Sequence, residues 1–373
     1  TDTERGGFRV RFEGAMTEHG PLPLEDYLKS AFKTPDVSLP LKDAFHATWW
    51  RKRFEEHGGG AQRLVETLSQ FQVSIAAGAC HSESYTRLIL QAQPASTSKS
   101  ALELFAAPDS VHWRMVDHPA GGLPVVTFED RADFELAFRA LGARCEPVPI
   151  GENVHALYVG GLPNPVRVRE MKSAFIASGN DSRTWPQEMK RRMKSDGTSF
   201  HDRLILLHTA PYGGLQASDV GDQMSEAGWL EASLQLRLEH EFTHHATHRL
   251  LGSYRLHVHD EVLADLMGFT KALGRFEAEL FLRALGIDGD RIRPDARLST
   301  YTVDLAEEAL PRLVEILRVV AEKIEAISSI FVGTSESNRL RSLVALSQID
   351  LHTLADDTPE RVISSILDFP FDD

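Results

Sequence analysis

Apolar residues recur at helical spacing through most of the second half of the chain and in a few stretches of the first. Between them they cluster into short, strand-like runs. The segments "LKDAFHATWWRKRFEEHGGG" and "AQRLVETLSQFQVSIAAGA" both carry a helical period, and the glycine triplet at 58–60 stops the first of them. "QPASTSKSA", 93–101, reads as an exposed loop from its Ser, Thr and Pro content. "SVHWRMV", "LPVVTF" and "HALYVGG" read as strands, and "EDRADFELAFRALG" as a helix that ends at a glycine. The first 200 residues are thus mixed α and β, without internal repeats or a glycine-rich phosphate loop.

"DRLILLHTA" opens the second half as a strand, and "PYGGLQASDVG" breaks it. From about Trp229, "WLEASLQLRLEHEFTHHATHRLL" is helical, with Gly252 where a left-handed C-terminal residue would stand. A second helix over about 260–273 ends at Gly274. "LAEEALPRLVEILRVVAEKIEAISSIF" and "SNRLRSLVALSQIDLHTLA" are long and amphipathic, and Pro311 falls in the first turns of its helix or kinks it. The pattern predicts an α+β protein in three regions. These are a mixed α/β N-terminal region over 1–200, a core over 201–285 and a helical C-terminal region over 286–373.

Composition narrows the function classes. The chain has 373 residues, enough for two or three packed units, and its 42% hydrophobic and 25% charged content is that of an ordinary globular protein. A net charge of −14 speaks against nucleic acid and against anionic lipid as partners, since both require a basic face. The run "KRRMK", 190–194, is short and reads as a solvated helix face. No stretch approaches a membrane span of roughly 18–20 apolar residues, and "TDTERGGFRVRFEG" has no apolar core of a secretion signal. Two cysteines, Cys80 and Cys145, are too few for a disulfide framework, so a cytoplasmic location is the expectation.

The chemistry concentrates in "EHEFTHHATHRLLGSYRLHVHDEVLADLMG", which holds six of the sixteen histidines. Within it lies His240-Glu241-Phe242-Thr243-His244. On a helix, residues four apart differ by about 40° of rotation, so both imidazoles project from one face and can share an ion. Glu241, one step round, can reach a water on that ion without being a ligand. Neutral imidazole suits zinc, which brings the pKa of a bound water towards about 7, and a neighbouring carboxylate can take the proton. Leucines at 234, 236, 238, 250 and 251, with Phe242, put apolar surface on more than one side of this helix, so it is expected to be buried. Buried imidazoles need partners.

A third ligand decides the class. The following "HATHRLLG" fails the metzincin spacing, and His248 falls off the metal. Downstream, "HDEVLADLMG" offers Glu261 and Asp265 four residues apart on a second helix. This resembles the gluzincin family of zinc hydrolases, in which a glutamate on the next helix completes the site and an acidic residue one turn later orients a metal-bound histidine. The resemblance covers roughly 203–274 and implies a zincin-like unit. It implies His240, His244 and Glu261 as ligands of Zn2+, Glu241 as general base and Asp265 as the carboxylate behind a histidine. Zincins also carry a strand ahead of the active-site helix whose edge pairs with an extended substrate, and "DRLILLHTAPYGG" is similar. Together with "EPVPIGENVHALYVGG", the chain looks like an uncharacterised bacterial family carrying this motif.

Other candidates are weaker. "GAMTEHG", 14–20, superficially matches an aminopeptidase amine-binding motif but is interrupted by Thr17 and lies far upstream. Tyr301, Tyr254, His257 and His259 are candidates for stabilising an oxyanion, and His257 or His259 could displace Glu261 as ligand. Arg297 could bind a substrate carboxylate, although a salt bridge is the commoner use. "GACHSESYTRL" near Cys80 pairs nucleophile-like and base-like residues without a third partner. The expectation is a zinc hydrolase acting on a peptide or small amide-like substrate. The alternatives are a metal enzyme acting on a small non-peptide substrate and a non-catalytic protein in which zinc staples two helices.

Overall fold

The computed structural model describes residues 21–33, 39–96, 98–195, 199–252, 257–289 and 291–370. They mix helix and sheet and fall into two compact units. Among the described residues, one is formed by 43–117 and 121–208, the other by 21–33 and 39–42, by 118–120 and by 209 onwards. The strand expected to open a core at 201 therefore closes the first unit, and the C-terminal helices share the second unit with the histidine-rich helix.

The first unit contains α1 (Phe45–His57), α2 (Ala61–Thr67), β1 (His112–Val116), β2 (Leu123–Phe128), α3 (Arg131–Ala137), β3 (Ala156–Pro163), α4 (Pro165–Ala177), α5 (Trp185–Ser195) and β4 (His201–His208). The strands lie in the order β1-β2-β4-β3, with β2 and β4 parallel and the other pairs antiparallel. A run apolar at every position suits a central strand, and Leu204, Ile205, Leu206 and Leu207 of β4 are at most 1% exposed. Over Ile205–Leu207 this corrects the expectation of a strand with a free edge. Val125–Phe128 pair along one side of β4 and Ala156–Val159 along the other, so these backbone groups are already used.

A second difference lies in α2, which stops at Thr67, although helical spacing continues beyond it. The chain turns extended at Leu68, with φ −116° and ψ 99°. Gln70 is then engaged by distant partners: its amide donates to Pro163 O at 2.6 Å, and its carbonyl accepts from the Cys145 thiol. The basic run on α5 is a solvated face, in which Glu188 pairs with both Arg191 and Arg192.

The second unit contains α6 (Glu226–Leu250), α7 (Val258–Leu273), α8 (Ala278–Leu285), α9 (Leu310–Ile327), α10 (Glu336–Ser347), α11 (Leu351–Asp356) and α12 (Pro359–Leu367). Ser225 caps α6 by accepting from Gly228 N, and Gly252 and Gly274 adopt the left-handed φ values of +63° and +69° after α6 and α7. Pro311 sits in the first turn of α9, where its missing N–H costs nothing. Leu313, Leu317, Val320 and Ile324 form a fully buried stripe along that helix. The stretch read as one C-terminal amphipathic helix is two, broken between Ser347 and Leu351. Ser30 Oγ donates to Ser347 O, Leu351 N donates to Leu28 O, and Asp350 caps α11.

No helix is long and apolar enough to cross a membrane among the described residues. What positions the chemistry is the pair α6–α7. His240 meets Asp265, His244 meets Glu261 and Leu236 meets Gly268, so the two helices run antiparallel. Gly268 makes the approach possible, since a Cβ there would lie 2.9 Å from Leu236 O and 3.0 Å from its Cδ2. Gly268→Val should push the helices apart and destabilise the protein by about 1–3 kcal/mol, the usual range for overpacking. Chemical denaturation checks this, and an unchanged midpoint would show that the contact is not tight.

Candidate metal centre

Helix α6 is buried almost all round at its centre, as its all-sided apolar pattern predicts: His240, Glu241 and His244 are 6%, 7% and 4% exposed. Their spacing puts the two imidazoles on one face, and α7 brings Glu261 opposite them at 2% exposure. His240 Nε2 lies 3.1 Å from His244 Nε2, and Glu261 Oε2 and Oε1 lie 3.4 Å and 3.5 Å from His240 Nε2 and His244 Nε2. Four-coordinate zinc with bonds of about 2.0–2.1 Å places its ligand atoms about 3.3 Å apart. The distance between the two ring nitrogens, and that from each to its own Glu261 oxygen, are close to that spacing. Among the described residues, His240, His244 and Glu261 are the group of three that could hold a metal ion.

The ring orientation is set from behind. His240 Nδ1 lies 2.7 Å from Asp265 Oδ1. A carboxylate only accepts, so Nδ1 carries the proton in this bond and Nε2 can remain a bare lone pair facing Glu261 and His244. Burial by itself would lower the pKa of His240, but Glu261 and Asp265 raise it to about 10. Burial would likewise push Glu261 up, and the facing His240 and His244 rings hold it well below the ordinary carboxylate range. This pocket is built to hold positive charge.

Two residues outside the expected ligand set complete it. The Arg297 guanidinium donates to Glu261 Oε2 at 3.0 Å, to Asp265 Oδ2 at 3.5 Å and to the Tyr212 hydroxyl at 3.1 Å. Arg297 is thus the salt-bridge arginine of the two readings open for it. Tyr212, in the "PYGG" turn, donates its hydroxyl proton to Asp265 Oδ1 and lies 3.2 Å from His240 Nδ1. Sequence reading took that turn only as a break.

The other candidates are placed as follows. His257 is the N-cap of α7: its Nδ1 accepts from His259 N, which leaves Nε2 to donate to Tyr27 O at 2.9 Å. His259 is fully buried with its ring edge-on to Phe32, and neither histidine belongs to the metal-capable group. Tyr301 ends a short helix, Leu298–Tyr301, where its phenol feels the charges of Arg297 and Glu261. Burial raises its pKa above the ordinary phenol range, with Arg297 opposing and Glu261 adding. Cys80 is no activated nucleophile, because burial and the Glu146 carboxylate raise its pKa, and Ser82 is a helix cap that accepts from Tyr85 N. "GAMTEHG" and Tyr254 lie outside the described residues.

A family model described as a family of unknown function (DUF7005) matches residues 15–358. The chain belongs to that family. No curated protein and no solved structure matches it.

The geometry ranks the variants. In a zinc titration with a competing chelator, His244→Ala and Glu261→Ala should lose the metal most strongly. Asp265→Asn should lose about 10- to 100-fold in affinity, the usual effect of removing a partner behind a ligand. His248→Ala and His259→Ala should bind like wild type. A loss in His259→Ala as large as in Glu261→Ala would overturn the ligand set.

Proposed function

We propose that the protein is a zinc-dependent hydrolase of an amide bond, with a zincin-like metal unit of the gluzincin type that its motif resembles. The observation that carries this reading is the number and spacing of donors. Two imidazoles and one carboxylate converge, with 3.1 Å between the ring nitrogens and 3.4 Å and 3.5 Å from them to the two Glu261 oxygens, and the group has three members among the described residues. Structural zinc sites are closed by four protein ligands, whereas catalytic sites use three and keep a position open. Imidazole nitrogens also favour zinc over calcium and magnesium, which take oxygen donors.

When bound, zinc supplies the Lewis acidity that polarises a carbonyl and brings the pKa of a water towards about 7. The remaining work falls to the chain. Glu241, one position round α6 from His240, takes the proton of the attacking water and delivers it to the leaving nitrogen. Asp265 keeps the His240 Nδ1 proton in place, so that Nε2 stays bare. Tyr301, whose phenol is held in its protonated form, keeps a proton that it can donate to a developing oxyanion.

The substrate we favour is a small amide or a short peptide. His240, Glu241, His244 and Glu261 are each at most 7% exposed, which suits a small substrate better than a long chain. Retention of Glu241, which a purely structural staple does not need, favours catalysis over that alternative.

Glu241→Gln separates the roles of base and ligand. It should keep a full equivalent of zinc by elemental analysis and keep the fold, while hydrolysis of a panel of small amides and dipeptides falls by orders of magnitude. Zinc loss comparable to that of His244→Ala would show that Glu241 is a ligand and not the base.

A further inference from the structure

We infer that Tyr212 is a positioning residue for the metal centre, acting through Asp265 on His240; this rests on the reading of His240 as a ligand. The inference starts from the shape of the turn that carries it. Residues 210–212 are gripped by one stripe of α6. Ser233 Oγ accepts from Tyr212 N at 3.0 Å, and Arg237 donates to Ala210 O and, at 2.6 Å, to Pro211 O. Ser233, Arg237 and His240 stand at i, i+4 and i+7, so the residues that hold the turn and the residue that faces the metal position share one face of the helix.

The ring of Tyr212 is fixed as firmly as its backbone. The Arg237 guanidinium lies 5.4 Å from the ring centroid and that of Arg297 lies 5.1 Å from it. Gly213 and Gly214 follow with left-handed φ values of +59° and +74°, and a Cβ on Gly213 would lie 2.6 Å from Ala284 Cβ, so the turn is packed without slack. Tyr212 itself is 4% exposed.

Proton counting then assigns the hydroxyl a task. It meets three polar groups: the Arg297 guanidinium, Asp265 Oδ1 and His240 Nδ1. Arg297 can only donate, so it takes one oxygen lone pair. His240 Nδ1 already directs its proton to Asp265 Oδ1, so the hydroxyl proton also goes to that oxygen. Asp265 Oδ1 therefore accepts from the ring and from Tyr212 at once, while Oδ2 faces Arg297. Without the hydroxyl, Oδ1 keeps only the imidazole, and the carboxylate that orients the ring is held from behind by the longer Arg297 contact alone. A buried, fully connected network of this kind specifies geometry.

Tyr212→Phe removes the oxygen and leaves the ring between the two guanidinium groups. Zinc affinity, measured against a chelator, should fall about 10-fold, at the lower end of effects for partners behind a ligand. Combined with Asp265→Asn, it should cause no further loss than Asp265→Asn alone, because Tyr212 acts through that carboxylate. The visible spectrum of the cobalt-loaded Tyr212→Phe protein should also shift, which a merely stabilising tyrosine would not cause. Should Tyr212→Phe fail to fold, Ser233→Ala frees only the turn's backbone and should weaken zinc several-fold in the wild-type background and not in Asp265→Asn. Unchanged zinc affinity and cobalt spectrum in the single variant, or multiplicative losses in the double, would overturn the role of Tyr212 while leaving the metal centre standing. A wild-type protein that binds no zinc would overturn both.

Discussion

Two carboxylates, Glu261 and Asp265, lie side by side on α7 at 2% and 0% exposure, and the second unit is organised around neutralising them. Taking an ionised carboxylate out of water costs several kcal/mol even after relaxation, and two neighbouring ones repel each other. The cost is tolerable only with positive charge and hydrogen-bond donors on every side. Arg297 supplies a cation to both carboxylates, His240 a ring N–H to Asp265, and Tyr212 a hydroxyl proton to the same carboxylate. The side of Glu261 towards His240 and His244 is where a divalent ion would complete the balance.

That constraint explains features of the fold that otherwise look unrelated. The two helices must approach closely enough for four side chains to converge, and Gly268 against Leu236 O permits it. The turn at 210–214 must be rigid, and Ser233, Arg237 and Ala284 make it so. A helix with apolar residues on several faces buries its polar residues too, so histidines and carboxylates that would be unremarkable on a wet surface become committed to one another.

The sequence made much of this legible. The spacing of His240 and His244, the all-sided apolar pattern of α6, and Gly252 and Gly274 are local signals, and local geometry decides them. The pairing of Asp265 with a histidine is what the gluzincin resemblance implies for a carboxylate one helical turn beyond Glu261. What escaped depends on residues distant in the chain. Tyr212 and Arg297 lie 53 and 32 residues from Asp265, and nothing in their own surroundings marks them as its partners. The neighbours of β4 on both sides, and the break before α11 created by Ser30 and Leu28, are likewise long-range facts. In the α6 sequence, Ser233, Arg237 and His240 on one stripe was the available hint that something docks beside the metal position.

The central claim is that His240, His244 and Glu261 form a zinc centre, and its most direct test is anomalous scattering at the zinc edge from crystals of the zinc-loaded protein. The account predicts one strong peak within about 2.0–2.2 Å of His240 Nε2, His244 Nε2 and a Glu261 oxygen, with a non-protein ligand in the fourth position. A peak more than about 3 Å from the Glu261 carboxylate, or a site closed by a fourth protein side chain, would contradict it.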